Sequence, residues 1–145
     1  MDMRESFFDT VNNQMTVVLA TSAGGNVSMR SVSPVCYNGA VLIFTAAGSK
    51  KYSQLKANPQ CCIQAGGFFA EATAEFCGAT LLEKNEALRA AYCAKFPGAF
   101  DEGIEFGGRQ AEFILLTPKR LSGWAYPDGT LVGEGVPTVP FDAVL

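Results

Sequence analysis

The stretch that decides the fold is Val27 to Pro59, VSMRSVSPVCYNGAVLIFTAAGSKKYSQLKANP. Val27 to Cys36 reads as a strand. Pro34 places it at an edge or a bulge, because proline has no N–H to give to a ladder. Tyr37-Asn38-Gly39 is a tight-turn signal between apolar runs. Ala40 to Thr45 is the returning strand. Gly48-Ser49 then opens a helix with Ser49 as its N-cap. Tyr52 and Leu55 give that helix an apolar side. Asn58-Pro59 ends it, since the residue before a proline disfavours helical backbone.

Upstream, Met3, Phe7, Phe8 and Val11 recur at helical spacing and predict a short amphipathic helix over Arg4 to Asn13. Met15 to Thr21 is β-rich, with Thr16, Val17, Val18 and Leu19 in succession. The Ala23-Gly24-Gly25-Asn26 turn joins it to the Val27 strand. Three strands linked by short turns make an antiparallel meander.

Downstream, Cys61 to Ala65 is a strand, and Glu71 to Leu82 is a longer one with a bulge or bend at Gly78. Glu83 to Phe96 carries Leu88, Ala91, Tyr92 and Phe96 on one side and predicts a helix, stopped by Pro97-Gly98. After a Gly107-Gly108 loop, Ala111 to Leu116 is an apolar strand. Pro118 interrupts it, and Leu121 to Tyr126 resumes the pairing. From Pro127 the chain is rich in Gly, Pro and Val and reads as an arm that closes onto the body or onto a partner. There is no internal repeat and no linker. The expectation is one domain over residues 1–145, mainly β, with about six strands and three helices. Consecutive hairpins argue against a parallel sheet and for a closed or nearly closed antiparallel barrel.

Composition narrows the function. Hydrophobic residues make up 48% of the 145, enough for a core, and charged residues 17%. No apolar run is long enough to span a bilayer. Met1 to Gln14 is polar and of mixed charge, unlike a secretory leader, so a cytoplasmic protein without membrane association is expected. The net charge is -3 and no stretch is basic, which speaks against nucleic-acid binding. The five cysteines, an odd number without a regular framework, predict free thiols in a reducing compartment. There is no histidine. That excludes histidine-based triads and dyads within one chain and removes the commonest metal ligand. A carboxylate, Lys, Tyr or Cys must then do any proton work, or a cofactor carries the chemistry.

Positive charge is scarce before Gly48: only Arg4 and Arg30 precede it. Ser49-Lys50-Lys51 then stands at a helix start, where free amides and the helix dipole favour an anion. In the meander, Arg30 lies on the strand paired with the one that leads into this helix. Arg30, Ser49, Lys50 and Lys51 can therefore converge on one phosphate. The plainer reading is that both lysines are solvated and Ser49 only caps the helix.

The ordered set Arg30-Ser31-Val32-Ser33-Pro34, Val41-Leu42-Ile43-Phe44-Thr45, Ser49-Lys50-Lys51 and Leu55-Lys56-Ala57-Asn58-Pro59 resembles the flavin-binding split barrel of the pyridoxamine 5'-phosphate oxidase-like superfamily. The close match covers residues 15–80. The resemblance implies a six-stranded split barrel, a homodimer and FMN bound at the subunit interface, with the related deazaflavin F420 as the alternative cofactor. Arg30 and Lys51 would contact the phosphate, helped by Ser49 and Lys50. The backbone of Ser31 and Val32 would follow the isoalloxazine edge. Phe44 and Thr45 would flank the ring or ribityl chain, and Thr73 would reach the cofactor from the partner subunit. The implied activity is electron transfer between a reduced nicotinamide or other small donor and a small acceptor. The alternative is a flavin-binding sensor, carrier or storage module. The match does not extend to the arginine- and histidine-bearing C-terminal segment with which pyridoxamine phosphate oxidases grip their substrate: Leu121 to Leu145 has no Lys, Arg or His.

Other residues carry less. Cys61 and Cys62 are neighbours on a strand, so one thiol faces the core and the other faces out. With no CxxC and no histidine they do not make a zinc set, and no metal is expected. Cys36, Cys77 and Cys93 read as small core residues. Phe68-Phe69 suit a core or dimer interface, or the wall of a pocket. Trp124 and Tyr126 either stack near a cofactor or pack the barrel end. Glu102, Glu105 and Arg109 read as a solvated loop.

Overall fold

The run Ala40–Ala46 is apolar at nearly every position because both of its faces are covered. In the computed structural model, which describes residues 2–100, 105–106, 109–125 and 139–145, this run is strand β4 in a mainly β, antiparallel architecture. Three strands precede it: β1 (Val17–Ala23), β2 (Asn26–Val32) and β3 (Val35–Tyr37). After it come β5 (Gln60–Ala65), β6 (Phe68–Ala79), β7 (Glu105–Phe106), β8 (Arg109–Ala125) and β9 (Val139–Val144). Helix α1 (Met3–Asn13) leads the chain, α2 (Lys50–Ala57) joins β4 to β5, and α3 (Glu86–Lys95) follows β6 after a 3-10 turn at Glu83–Asn85. None of the helices is long and apolar enough to cross a membrane.

The strands pair in the order β2-β1-β5-β6-β8-β4-β3, with β7 and β9 added along β8. Valines 17 and 32, Leu19, Val41, Ile43, Ile63, Phe68, Ile114 and Leu116 all enter one buried cluster, to which α1 adds Phe7 and Val11 and α2 adds Leu55. A sheet that sends one face of so many strands into one cluster must curl around it. The opposite face of β4 and β8 sends Leu42 and Phe113 into a second cluster beneath Leu88 and Tyr92 of α3. Strands covered on both sides lose the polar alternation of half-exposed ones.

Several expectations need correction. Nine strands pair among the described residues rather than about six, and the hydrogen-bonded path is not closed, since it stops at β2 and β3. Those two edges are nonetheless consecutive in the chain. The expected Val27 to Cys36 strand breaks at Ser33-Pro34, so β2 and β3 are its two halves. Helix α3 takes up the carbonyls of that break: Tyr92 Oη donates to Ser33 O at 3.0 Å, and Lys95 Nζ to Pro34 O at 2.8 Å. The Lys95 ammonium also donates to Val11 O at 2.9 Å and Gln14 O at 2.6 Å, at the end of α1. Pro118 does not end its strand. Glu71 pairs with Arg120 and Ala72 with Pro118, so the ladder steps past Lys119 as a bulge and continues. Strand β8 is thereby 17 residues long. Of the C-terminal arm, Val139–Val144 returns to pair with the end of β8. Residues 126–138, Tyr126 among them, lie outside the described residues, as does Glu102.

Local signals read from the sequence explain the turns. Asn38 (φ 46°) and Gly39 (φ 76°) take the two left-handed positions of the β3–β4 hairpin. Gly123 is required for a different reason: a Cβ there would lie 2.1 Å from the carbonyl oxygen of Gly67. The bulge expected at Gly78 is present, as a register shift between Phe76 and Gly78.

Candidate anion-binding site

Arg30 stands opposite Leu19 in the β1–β2 ladder, so its side chain leaves on the same face as that core residue. Its Nη1 donates to Leu19 O at 3.1 Å and to Thr21 Oγ1 at 2.7 Å. The Thr21 hydroxyl donates in turn to Gln54 Oε1 on α2, at 2.5 Å. Gln54 Nε2 donates to Asn26 O at 3.3 Å. Both Thr21 and Gln54 are buried. Burial lowers the pKa of Arg30, but a guanidinium keeps its charge at any physiological pH.

The start of α2 lies at the end of β4. Ser49 caps it, accepting from the backbone N–H of Tyr52 at 3.3 Å, and its hydroxyl is hydrogen-bonded to that of Thr45 at 3.0 Å. Lys50 is exposed and Lys51 half-buried. The Lys51 ammonium has its pKa held below the usual lysine value, first by burial and then by the positive charge of Arg30. Two cations thus act on each other across the α2 start. Among the described residues the ion pairs are those of Arg120 with Glu71 and Asp142, so neither Arg30 nor Lys51 has a carboxylate. Two like charges, two hydroxyls and a helix N-terminus with no counter-ion among the described residues form a set that suits a phosphate.

The remaining expected residues are placed as follows. Ser31 is exposed on the outer side of β2 and Val32 is buried on its core side. Phe44 points away from Thr45, since neighbours on a strand face opposite ways. Its ring lies 5.0 Å from that of Tyr92 and 5.4 Å from that of Phe100. Thr73, on β6, is opposite Gln60 and donates to Gln60 Oε1 at 3.3 Å. The structure therefore sets Lys51 within electrostatic reach of Arg30 and joins Thr45 to Ser49 at the same helix start, with Lys50 exposed next to it. It directs Phe44 into the aromatic cluster under α3. Thr21 and Gln54 were not singled out from the sequence. The available signal was Thr21 itself, a hydroxyl in the every-second-residue series Val17, Leu19, Thr21 that faces the core.

Elsewhere, Cys61 is buried and Cys62 exposed, as alternation requires, and all five cysteines are free. Phe68 is in the core, whereas Phe69 and Trp124 are about half exposed. Glu105 and Phe106 form the short β7, paired with Gln110 and Arg109. Among the described residues no group of three His, Cys, Asp or Glu side chains could hold a metal ion.

No family model and no curated protein matches the chain. Solved structures do. A provisionally assigned pyridoxamine 5'-phosphate oxidase from Listeria innocua shares 12% identity over 83% of this chain and 96% of its own, with a TM-score of 0.63. An FAD-binding protein from Mesorhizobium loti shares 15% over 85% and 92%, TM-score 0.65. HutZ, the heme storage protein from Vibrio cholerae, shares 16% over 82% and 92%, TM-score 0.66. Identities this low report on fold, and the last two proteins differ in the ligand their names give, FAD and heme.

Proposed function

On the premise that this chain has the fold of the pyridoxamine 5'-phosphate oxidase-like proteins, we propose that it binds the phosphate of FMN at Arg30, Lys51, Ser49 and Thr45. We read it as a split-barrel flavin-dependent oxidoreductase. One observation carries the reading: Lys51 at the start of α2 and Arg30 on β2 act on each other electrostatically, and among the described residues neither has a carboxylate to neutralise it. A phosphomonoester supplies the missing charge and accepts from the hydroxyl proton that the Thr45–Ser49 hydrogen bond leaves free. Ser31 and Val32, next to Arg30 on β2, provide the backbone that would lie along the ring. When bound, the flavin supplies hydride and electron transfer. The chain's own residues hold the phosphate and fix its distance from the strand. A heme-storage role finds less support, because the chain has no histidine for an axial ligand.

The reading includes a homodimer. The register places Met29, Ala20 and Cys62 in one row on the outer face of β2, β1 and β5, with Val27 and Phe69 in the flanking rows. Met29 and Val27 are 70% and 77% exposed. A two-fold contact would cover such a face. Light scattering on the purified protein should give twice the chain mass.

The direct test is the visible spectrum after adding FMN and removing the excess. Retained flavin bands at about one flavin per chain support the reading. A protein that retains none, and retains F420 instead, moves the cofactor to the deazaflavin. Oxidation of a reduced nicotinamide by the loaded protein then separates an enzyme from a flavin carrier.

Affinity should also depend on pH in a known direction. A bound phosphate dianion favours protonated Lys51, and free Lys51 has a lowered pKa. Raising the pH through that lowered value strips the proton from the free protein, so FMN binding weakens on the alkaline side. Titrations from pH 7 upward should show this loss in wild type and not in Lys51→Met.

A further inference from the structure

Thr21 and Gln54 are the polar residues buried behind Arg30, and four hydrogen bonds connect them to each other, to it and to Asn26 and Ser28 of β2. Burying a hydroxyl and a carboxamide is unfavourable unless each is satisfied. Here each is satisfied through the other: Arg30 Nη1 donates to Thr21, Thr21 donates to Gln54, and Gln54 donates to the Asn26 carbonyl. The chain of bonds runs from β2 through β1 to α2, the helix whose first turn carries Ser49 and Lys51. It therefore ties the position of the guanidinium to that of the helix start. Nη1 is occupied by Leu19 O and Thr21 Oγ1. The described residues give Nε and Nη2 no hydrogen-bond acceptor, so these donors are left for a ligand.

We infer that Thr21 and Gln54 are positioning residues: they orient Arg30 so that its free guanidinium edge meets the anion held at the start of α2. This inference rests on the phosphate-site reading above, but it makes a separate claim. An unrestrained arginine could still attract a phosphate by charge. A held one selects it by geometry, because a guanidinium recognises phosphate through paired, directional donors.

The test compares FMN with riboflavin, which has the same ring and no phosphate, by quenching of flavin fluorescence. Thr21→Val keeps the side-chain shape and removes the hydroxyl. FMN affinity is expected to fall about tenfold, on the order of one hydrogen bond to a charged group, with riboflavin affinity unchanged. Thr21→Ser should restore FMN binding. In an Arg30→Ala background, Thr21→Val should cost nothing further. Gln54→Met attacks the same chain from the other end and serves if Thr21→Val does not fold. The inference is overturned if Thr21→Val keeps wild-type preference for FMN, or if it loses FMN and riboflavin equally, the mark of a purely structural role. Wild-type protein that shows no preference for FMN over riboflavin overturns the phosphate reading itself, and the inference with it.

Discussion

Replacing Arg30 by alanine is expected to raise the dissociation constant for FMN about a hundredfold, while riboflavin binding stays where it was. Charge-assisted hydrogen bonds are worth roughly 1.5–3 kcal/mol each, and about 1.4 kcal/mol is a factor of ten. Arg30 has two donor positions beyond those its protein partners use, which places the loss near 3 kcal/mol. The substitution also removes the acceptor load from Thr21, whose hydroxyl keeps Gln54, so the fold should survive it. Lys51→Ala should cost less, about tenfold, because an ammonium meets phosphate as a point charge without a fixed fork. If both variants bind FMN as wild type does, the anion site lies elsewhere on the molecule.

The second large effect concerns stability. Lys95→Met should lower the unfolding free energy by about 3 kcal/mol and Tm by roughly 10 °C. An ammonium has three donors, and Lys95 uses all three on carbonyls: Val11, Gln14 and Pro34. Two of these acceptors are at the C-terminal end of α1: Val11 O, which among the described residues otherwise accepts only the capping N–H of Gln14 at 3.2 Å, and the carbonyl of the cap residue Gln14 itself. The third is at the break between β2 and β3. Methionine keeps the length of the side chain and none of the donors. Urea denaturation of the two proteins measures the difference. A loss below about 0.5 kcal/mol would show that water serves the three carbonyls equally well.

These two residues also show where sequence reading reaches and where it stops. Arg30 was legible because positive charge is scarce around it, but the expected route to the helix was wrong. Its strand does not pair with the one leading into Ser49-Lys50-Lys51, since β2 pairs with β1 and β4 with β3 and β8. Arg30 reaches α2 through Thr21 and Gln54 instead. Ser49 as cap, Asn38-Gly39 as turn, Asn58-Pro59 as stop and Gly78 as bulge are all local chemistry, and the structure has each. Lys95 was not legible. A lysine in the last turn of a helix ordinarily faces water, and its three acceptors come from segments far away in the chain. The Thr21–Gln54 bond joins residues from two elements that only the curled sheet brings together. Pro118 misled for a related reason: a proline inside a strand normally breaks the ladder, but a one-residue bulge at Lys119 absorbs it. Phe44 and Thr45 are adjacent in sequence, but strand alternation sends them to opposite faces of β4, Phe44 toward Tyr92 and Thr45 toward Ser49.

The length and central place of β8 bear on how the chain acquires its shape during synthesis. Strand β4 has two partners, β3 and β8, and positions 41–46 pair with positions 111–116. Until β8 leaves the ribosome, the β3–β4 hairpin presents Val41, Leu42 and Ile43 to solvent with no sheet to join. Strand β6 waits for the same segment along most of its length. Because such distant pairings must bear loop-closure entropy before they return any contact energy, folding is set by a late, long-range step. Nascent chains stalled before residue 111 should therefore be protease-sensitive and bind chaperones, and those released past residue 125 should become resistant in one cooperative event.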